Sequence, residues 1–426
     1  MKWLEVELGK ILEVQSGFAF KSDSFSHTEG ISLIRIRDLP KSTTEIKYNG
    51  SYREEFLVRR GDYLIGMDGD FSCYIWEGEI GLLNQRVCRL TNFSSLLEPK
   101  YIYYRIQSEL SQINSNTSFV TVKHISSKKI EKICIPIPPI SEQRRIVEIL
   151  DQADALRKMR AEADAKAERI LPALFIKMFG DPAINPMGWN VVLVEKLFSK
   201  ERSGTKCGPF GSALKKNEYV THGIPVWGID NVQPNNFIES GSLFITPSKY
   251  QELINYSVET GDILISRAGT VGRMCVARPQ QSLSIISTNL IRLSLNKDEI
   301  FPEYFTSLFS YFPAAVSRLR ASSDEGAYSF MNTKILKSLE IPLPPFELQI
   351  KYTMRMEQIK QMNLQKIESK DKLNNIFNVI LQRAFSGELT AKWREANMKE
   401  LLLEMEEQAK ALNLPSQKDK EQLSLW

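Results

Sequence analysis

The segment Ile135-Pro-Ile-Pro-Pro139, followed by Gln143, returns 206 residues later as Ile341-Pro-Leu-Pro-Pro345, followed by Gln349. The offset of 206 holds without a gap to the far end of the next segment, where Phe179 matches Phe385. A chain duplicated at this scale imitates a two-subunit dimer on one polypeptide. It predicts two similar halves and a partner that offers two similar sites. At 426 residues the chain is also too long for one ordinary core, so two or more domains are expected.

Matches continue upstream of each proline connector. Trp3-Leu-Glu-Val-Glu-Leu8 answers Trp189-Asn-Val-Val-Leu-Val194, and Ser16-Gly-Phe-Ala-Phe-Lys21 loosely answers Gly208-Pro-Phe-Gly-Ser212. Gly30-Ile-Ser-Leu-Ile-Arg-Ile36 pairs with Gly223-Ile-Pro-Val-Trp-Gly-Ile229, and Gly61-Asp-Tyr-Leu-Ile65 with Gly261-Asp-Ile-Leu-Ile265. Gln85-Arg-Val-Cys-Arg-Leu90 pairs with Thr288-Asn-Leu-Ile-Arg-Leu293. The offset drifts upward in order from 186 to 206, as loop insertions in a shared fold require. These short β-branched runs, bounded by Gly, Asp and Ser, predict strands. Tyr101-Ile-Tyr-Tyr-Arg-Ile106 and Tyr304-Phe-Thr-Ser-Leu-Phe309 predict amphipathic helices. Each globular part therefore reads as α+β with a mixed, largely antiparallel sheet.

Pro136, Pro138 and Pro139 forbid helix and force an extended connector. Ser141 is placed to cap the helix that follows, with Glu142 in its first turn. An apolar stripe then runs through Ile146, Leu150, Ala153, Leu156, Ala163, Ala167, Ile170, Leu174 and Met178, with a mean step of roughly 3.5 residues. Shifted by 206, it becomes Tyr352, Met356, Ile359, Met362, Ser369, Leu373, Ile376, Ile380 and Ala384. Two long helices are predicted, the first kinked near Pro172. Each stripe can pack on its own globular part. Alternatively the two helices pack on each other, and a pseudo-two-fold axis then requires them to be antiparallel. Gly387 suits a helix C-cap, and a short helix follows from about Met398 to Leu412, with Leu401, Leu402 and Met405 on one side. The predicted division is 1–140, a globular domain; 141–181, a helix; 182–346, a second globular domain; 347–387, a second helix; and 388–426, a tail.

Several function classes are excluded. No apolar run approaches the roughly 20 residues needed to cross a bilayer, and the N-terminus lacks a signal-peptide pattern, so the cytoplasm is expected. The five cysteines are scattered, with no CxxC pair, and read as reduced and mostly buried. Three histidines, none with an i, i+4 partner, give a metal site little to build from. No Walker A sequence and no Asn-Pro-Pro-aromatic methyltransferase motif occurs. Glu45-Ile-Lys47 has nuclease-like spacing but no suitable preceding acid. A net charge of +4 permits a nucleic-acid partner without arguing for one. A long duplicated chain without a reactive cluster reads as a binding protein.

Taken together, these features resemble the specificity subunits of type I restriction-modification systems. The resemblance rests on Val122-Lys-His-Ile-Ser-Ser-Lys-Lys-Ile130 leading into the first connector and Ser141-Glu-Gln143, and on Phe179-Gly-Asp-Pro182 with Asn185-Pro-Met-Gly-Trp189. The second connector and Phe385-Ser-Gly-Glu-Leu-Thr390 through Trp393-Arg394 complete it. The second copy departs from the pattern, with Leu348-Gln349 where Glu-Gln would be expected. The resemblance implies a non-catalytic subunit with two target-recognition domains, each reading half of a bipartite, asymmetric site in double-stranded DNA. It further implies that the two helices form an antiparallel coiled coil that sets the spacer. Two methyltransferase subunits and restriction (translocase-nuclease) subunits would be its partners. S-adenosylmethionine, ATP and Mg²⁺ would belong to those partners, with no cofactor in this chain, and methylation would fall on adenine N6 of an extruded base. The competing reading is a coiled-coil scaffold for protein assembly without DNA.

Base readout needs Arg, Asn or Gln at base edges, and phosphate contacts need cations and hydroxyls. Ser266-Arg-Ala-Gly-Thr-Val-Gly-Arg273 follows a predicted strand, so Arg267, Thr270 and Arg273 are candidates, although the segment also fits an ordinary hairpin turn. Its counterpart Met67-Asp-Gly-Asp70 lacks the arginine. Arg35, Arg37, Arg86, Lys215 and Asn289 are further DNA candidates, and Lys123 and His124 are candidates for DNA or methyltransferase contact. For the helix pair, the expected packing residues are Ile146, Leu150, Leu156, Ile170, Leu174, Met356, Ile359, Met362, Leu373, Ile376 and Ile380.

Overall fold

The computed structural model describes residues 3–116, 123–210, 213–241, 243–268, 271–311 and 333–413. The chain divides into two compact units. One comprises Met1–Arg160 with Lys370–Trp426, and the other Ala161–Ser369.

In the first unit a four-stranded antiparallel sheet runs in the order Glu13–Ser16, Val87–Thr91, Tyr63–Gly66, Cys73–Ile75. The second unit repeats it as Thr205–Cys207, Leu290–Leu293, Ile263–Ser266, Met274–Val276. A second sheet in each unit is mixed. Ile31–Ile34 runs parallel to Gly81–Leu83, and Ile224–Trp227 runs parallel to Ile285–Ile286. A two-stranded ribbon closes each lobe onto its connector, with Leu4 opposite Ile137 in one copy and Asn190 opposite Leu343 in the other.

The mixed, largely antiparallel sheet expected for each globular part is thus divided among the described residues: two sheets and a ribbon in the first lobe, and in the second a further two-stranded ribbon, Val232–Gln233 with Asn236–Phe237. The reason lies in the central strand, which is buried on both faces. Side chains alternate across a strand, so Ile65 enters one core while Leu64 enters a second with Trp76 and Leu82. Likewise Ile263 and Ile265 enter one core and Leu264 the other, with Trp227. In sequence such a strand is a continuous apolar run that hides the second layer.

The predicted helix Tyr101–Ile106 lies within Pro99–Asn116. Its counterpart, Pro302–Tyr311, is buried from Pro302 through Phe309, so it is a core helix rather than an amphipathic one. The duplication extends to single hydrogen bonds. The Tyr101 hydroxyl donates to Pro136 O at 2.7 Å, and the Tyr304 hydroxyl donates to Pro342 O at 2.7 Å. The Gln143 amide donates to Pro138 O at 2.8 Å and accepts from the Glu98 N–H at 2.9 Å. Gln349 does the same with Pro344 O and the Phe301 N–H, both at 2.9 Å. These glutamines satisfy backbone groups that the proline-rich connector cannot pair.

The first long helix spans Ile140–Glu168 and resumes as Ile170–Phe179. The interruption at Arg169 follows from Pro172, which has no N–H for the carbonyl of Glu168. The second long helix is unbroken over Phe346–Phe385. In the first unit, Glu142 meets Thr390 and Arg394, while Arg157 donates to Asn374 at 3.1 Å and lies 4.3 Å over the Phe377 ring. Thr390 and Arg394 follow the end of the second helix at Phe385, so that end lies at the start of the first helix, and the two segments are antiparallel there. In the second unit, Phe175 and Phe179 pack on Tyr352, and Arg355 reaches Met178.

Of the expected packing residues, Ile146, Leu150 and Met356 are buried. Leu174 and Ile380 pack partly buried against the cores, and Ile359 and Leu373 are half-buried. Leu156, Ile170, Met362 and Ile376 are corrections, because each is exposed. A strict 3.5-residue stripe drifts round a straight helix of 3.6 residues per turn. The contact line therefore falls one residue later than extrapolated, on the half-buried Arg157 instead of Leu156 and on the buried Phe377 instead of Ile376.

The start of the first helix is also corrected. Ser141 lies inside the helix, and its N–H and hydroxyl go to the carboxylate of Glu404. Gly387 does end the second helix, at φ 79°, with the Leu389 N–H on Arg383 O at 2.9 Å. The tail helix Met398–Ala411 buries Leu401 and Met405 in the first unit, whereas Leu402 is exposed.

Candidate nucleic-acid interface

Each lobe ends in a tip built at the same place, the loop that leaves the central strand of the four-stranded sheet. A glycine brings the chain close to that tip in both copies. The N–H of Gly17 donates to Val87 O at 3.0 Å, and that of Gly208 to Leu290 O at 2.9 Å. A Cβ would come 2.0 Å from Asn84 O at Gly17 and 1.8 Å from Ser287 O at Gly208, so no other residue fits without moving backbone.

In the first lobe the tip is centred on a carboxylate. After Tyr63–Gly66, the Met67 N–H donates to Arg86 O at 2.9 Å and the Ile125 N–H to Met67 O at 2.9 Å. Those bonds draw the chain before the connector against the loop. Asp68 then holds His124 Nδ1 at 2.6 Å and an Arg86 Nη at 3.4 Å. Lys123 Nζ donates to Asn114 O at 2.8 Å, and the Asn114 amide to Asp70 at 3.0 Å. Three sequence-predicted residues, Arg86, Lys123 and His124, are thus brought together although 37 positions separate Arg86 from Lys123.

In the second lobe the equivalent tip is centred on a cation. The Arg267 N–H donates to Asn289 O at 3.0 Å, as Met67 does to Arg86, so Asn289 takes the place of Arg86. The Arg267 guanidinium lies 4.7 Å over the ring of Phe210, which is 53% exposed. This stacking holds the cation by its face. Arg273 donates to the Gln233 side chain at 3.3 Å, and its carbonyl accepts from the Ser266 N–H. Thr270 lies outside the described residues.

The other candidates are placed apart. Arg35 opens the turn Ile36–Lys41 and pairs with Asp38, with 19% of its side chain exposed, so its guanidinium serves the turn. Arg37 on the same turn is exposed. Lys215 is exposed on a separate turn, where its N–H is held by Glu218 at 2.5 Å.

Three residues beyond Arg86 and Asn289, the arginines Arg89 and Arg292 are structural. Arg89 pairs with Asp62 at 2.9 Å and with Gln15. The buried Arg292 donates to Ser257 O at 2.5 Å, and burial with Arg202 nearby pulls it down to about 10. Sequence reasoning missed Phe210 and Asp68. An aromatic residue inside the glycine turn Gly208-Pro-Phe-Gly was the available signal for the first; the second lay within Met67-Asp-Gly-Asp70, the segment matched to the Arg267 loop, but its partner His124 is 56 positions away.

No group of three or more potential metal ligands occurs among the described residues. No helix among them is long and apolar enough to cross a membrane. The five cysteines are free. Burial pushes the thiols of Cys88 and Cys275 up to about 12 and that of Cys73 further, so these three are not poised as nucleophiles.

Fold and tips together define a class: a chain that carries one α+β lobe twice, presenting chemically different polar tips at equivalent places on helix-anchored sheets. Residues 1–168 and 186–375 match the family model of the type I restriction modification DNA specificity domain. The chain belongs to that family. The specificity subunit of the type I restriction enzyme EcoBI of Escherichia coli is 29% identical, the alignment covering 93% of this chain and 88% of the relative. That of EcoKI, from Escherichia coli K12, is 28% identical over 93% and 91%. Among solved structures, the S subunit of a type I restriction-modification system from M. genitalium superimposes with a TM-score of 0.53. It is 16% identical, with 90% of this chain and 96% of that one covered, and this likeness bears on the fold alone. With the family established, the DNA-specificity reading stands over that of a scaffold without DNA.

Proposed function

We propose that each lobe reads one half of a bipartite DNA target and that the chain itself catalyses nothing. The observation that carries this reading is the pairing of one scaffold with two tip chemistries. A carboxylate flanked by Arg86 and His124 can accept from an exocyclic amine such as cytosine N4, whereas a stacked guanidinium with Asn289 beside it suits guanine and adenine edges. Two readers of different chemistry make the two half-sites different, so the target is asymmetric. Lys123, Arg37 and Lys215 supply charge for phosphates.

The helix pair sets the spacer between half-sites and docks two methyltransferase subunits. Adenine N6 methylation, and the use of S-adenosylmethionine, belong to those partners. Restriction subunits with ATP and Mg²⁺ complete the assembly.

The test is reconstitution with the cognate methyltransferase subunit and selection of bound sequences from a random library. Replacing residues 182–346 with the corresponding segment of another family member should change one half-site only. Arg267→Ala should relax the same half-site by about 1–3 kcal/mol at one position. A change in both half-sites would refute the two-reader reading.

A further inference from the structure

Each unit has a cleft in the crook between its lobe and its long helix, and the two are built at equivalent positions. In the first unit a cleft of about 950 Å³ is lined by Lys100, Tyr104, Asp151, Asp154 and Lys158, among others. In the second a cleft of about 540 Å³ is lined by Arg278, Glu303, Glu357 and Lys360. Asp151 and Glu357 stand 206 residues apart, the offset of the connectors themselves. Lys100 and Glu303 are likewise equivalent, since each precedes the tyrosine that bonds its connector.

The charges at these positions do not correspond, yet both sites are neutralised. In the first copy Lys100 Nζ lies 2.6 Å from Asp151, whose other oxygen accepts from the Tyr104 hydroxyl at 2.8 Å. In the second, lobe and helix both present acids, and two carboxylates facing each other repel unless a cation joins them. Arg278 does so. It reaches Glu303 at 2.7 Å and Glu357 at 3.3 Å from just beyond the strand Met274–Val276, a different part of the lobe from Glu303. One turn along, the helix residues differ in sign, Asp154 against Lys360, and Lys360 is occupied with Asn235 O at 2.9 Å. Only the acid is kept on both helices, and each lobe meets it with a cation from its own chain segment.

We propose that Asp151 and Glu357 are equivalent anionic sockets that fix the angle of each reading lobe on its helix by gripping a cation carried by the lobe. They are positioning residues. Through them the helix decides where along the duplex each half-site is presented, and because both sockets have one sign, either lobe fits either helix. The inference rests on the two-reader function proposed above.

The experiment uses the full chain with its methyltransferase subunit and a DNA library in which the spacer between native half-sites varies. Asp151→Lys should weaken binding at the native spacing by a factor of about five to ten, the scale of an exposed ion pair turned into a repulsion. It should also broaden the range of spacers accepted, with both half-site sequences unchanged. Combining Asp151→Lys with Lys100→Asp restores the pair in reverse and should return the spacer preference, which also answers the case in which the single variant folds poorly. Unaltered spacer selection in the single variant, or no recovery in the reversed pair, overturns the proposal while the half-site readout stands. Loss of sequence selection by the unmodified complex would overturn the functional reading beneath it.

Discussion

Replacing Arg394 by alanine should destabilise the first unit selectively. The carboxylate of Glu142 has no exposure to solvent. Arg394 donates to it through Nε at 2.8 Å and Nη2 at 2.7 Å, Thr390 donates at 2.6 Å, and the Trp3 indole N–H donates at 3.1 Å. Removing the guanidinium leaves a buried charge with two neutral donors, a loss of about 3–5 kcal/mol. Its stacking 5.3 Å over the Trp3 ring contributes roughly 0.5–1 kcal/mol more. Against a typical total stability of about 5–15 kcal/mol, this is a large fraction. The second copy carries Leu348 at the position of Glu142, which supplies the control. Glu142→Leu combined with Arg394→Met should cost far less than Arg394→Ala alone, because the buried charge and its partner leave together. Urea titration followed by hydrogen-exchange mass spectrometry reads the two units separately. Peptides from 4–137 should lose protection in Arg394→Ala while peptides from 190–343 keep theirs. A loss below about 1 kcal/mol, or a double variant weaker than the single one, would refute the buried-pair argument.

The corrected helix seam predicts that Leu150→Ala costs about 2–5 kcal/mol and Leu156→Ala under about 0.5 kcal/mol by thermal or urea denaturation; equal losses would restore the uncorrected stripe. Alkylation of the folded chain at pH 8 should label the exposed Cys134 readily and spare Cys73, Cys88 and Cys275. The sign follows from burial, which pushes Cys88 and Cys275 up to about 12, so the reactive thiolate is scarce at any lower pH until the chain unfolds. Mass spectrometry of the labelled peptides reads this directly.

The acid at position 142 has a structural reason that Leu348, its equivalent in the second copy, does not share. The tail segment around Thr390 and Arg394 packs on the first helix start, where Glu142 is needed as its acceptor. At the second start Leu348 packs partly buried against the core instead. The sequence displayed the substitution without its cause, because the partner of position 142 lies some 250 residues away.

Duplication, proline connectors, long helices and the α+β character were legible in the amino-acid sequence, since each is written in local pattern: a repeated motif, missing N–H groups, apolar residues at helical spacing. From the duplication alone follow two like lobes. What only the tertiary structure decided is which residues meet. It divided each predicted sheet, moved the helix seam from Leu156 and Ile376 to Arg157 and Phe377, and gathered Arg86 and His124 round Asp68. It also set Arg267 on Phe210. Local pattern records the preference of a residue for a face or a turn, whereas a contact between distant residues depends on how closely packed elements register, and that is settled only when the whole core closes.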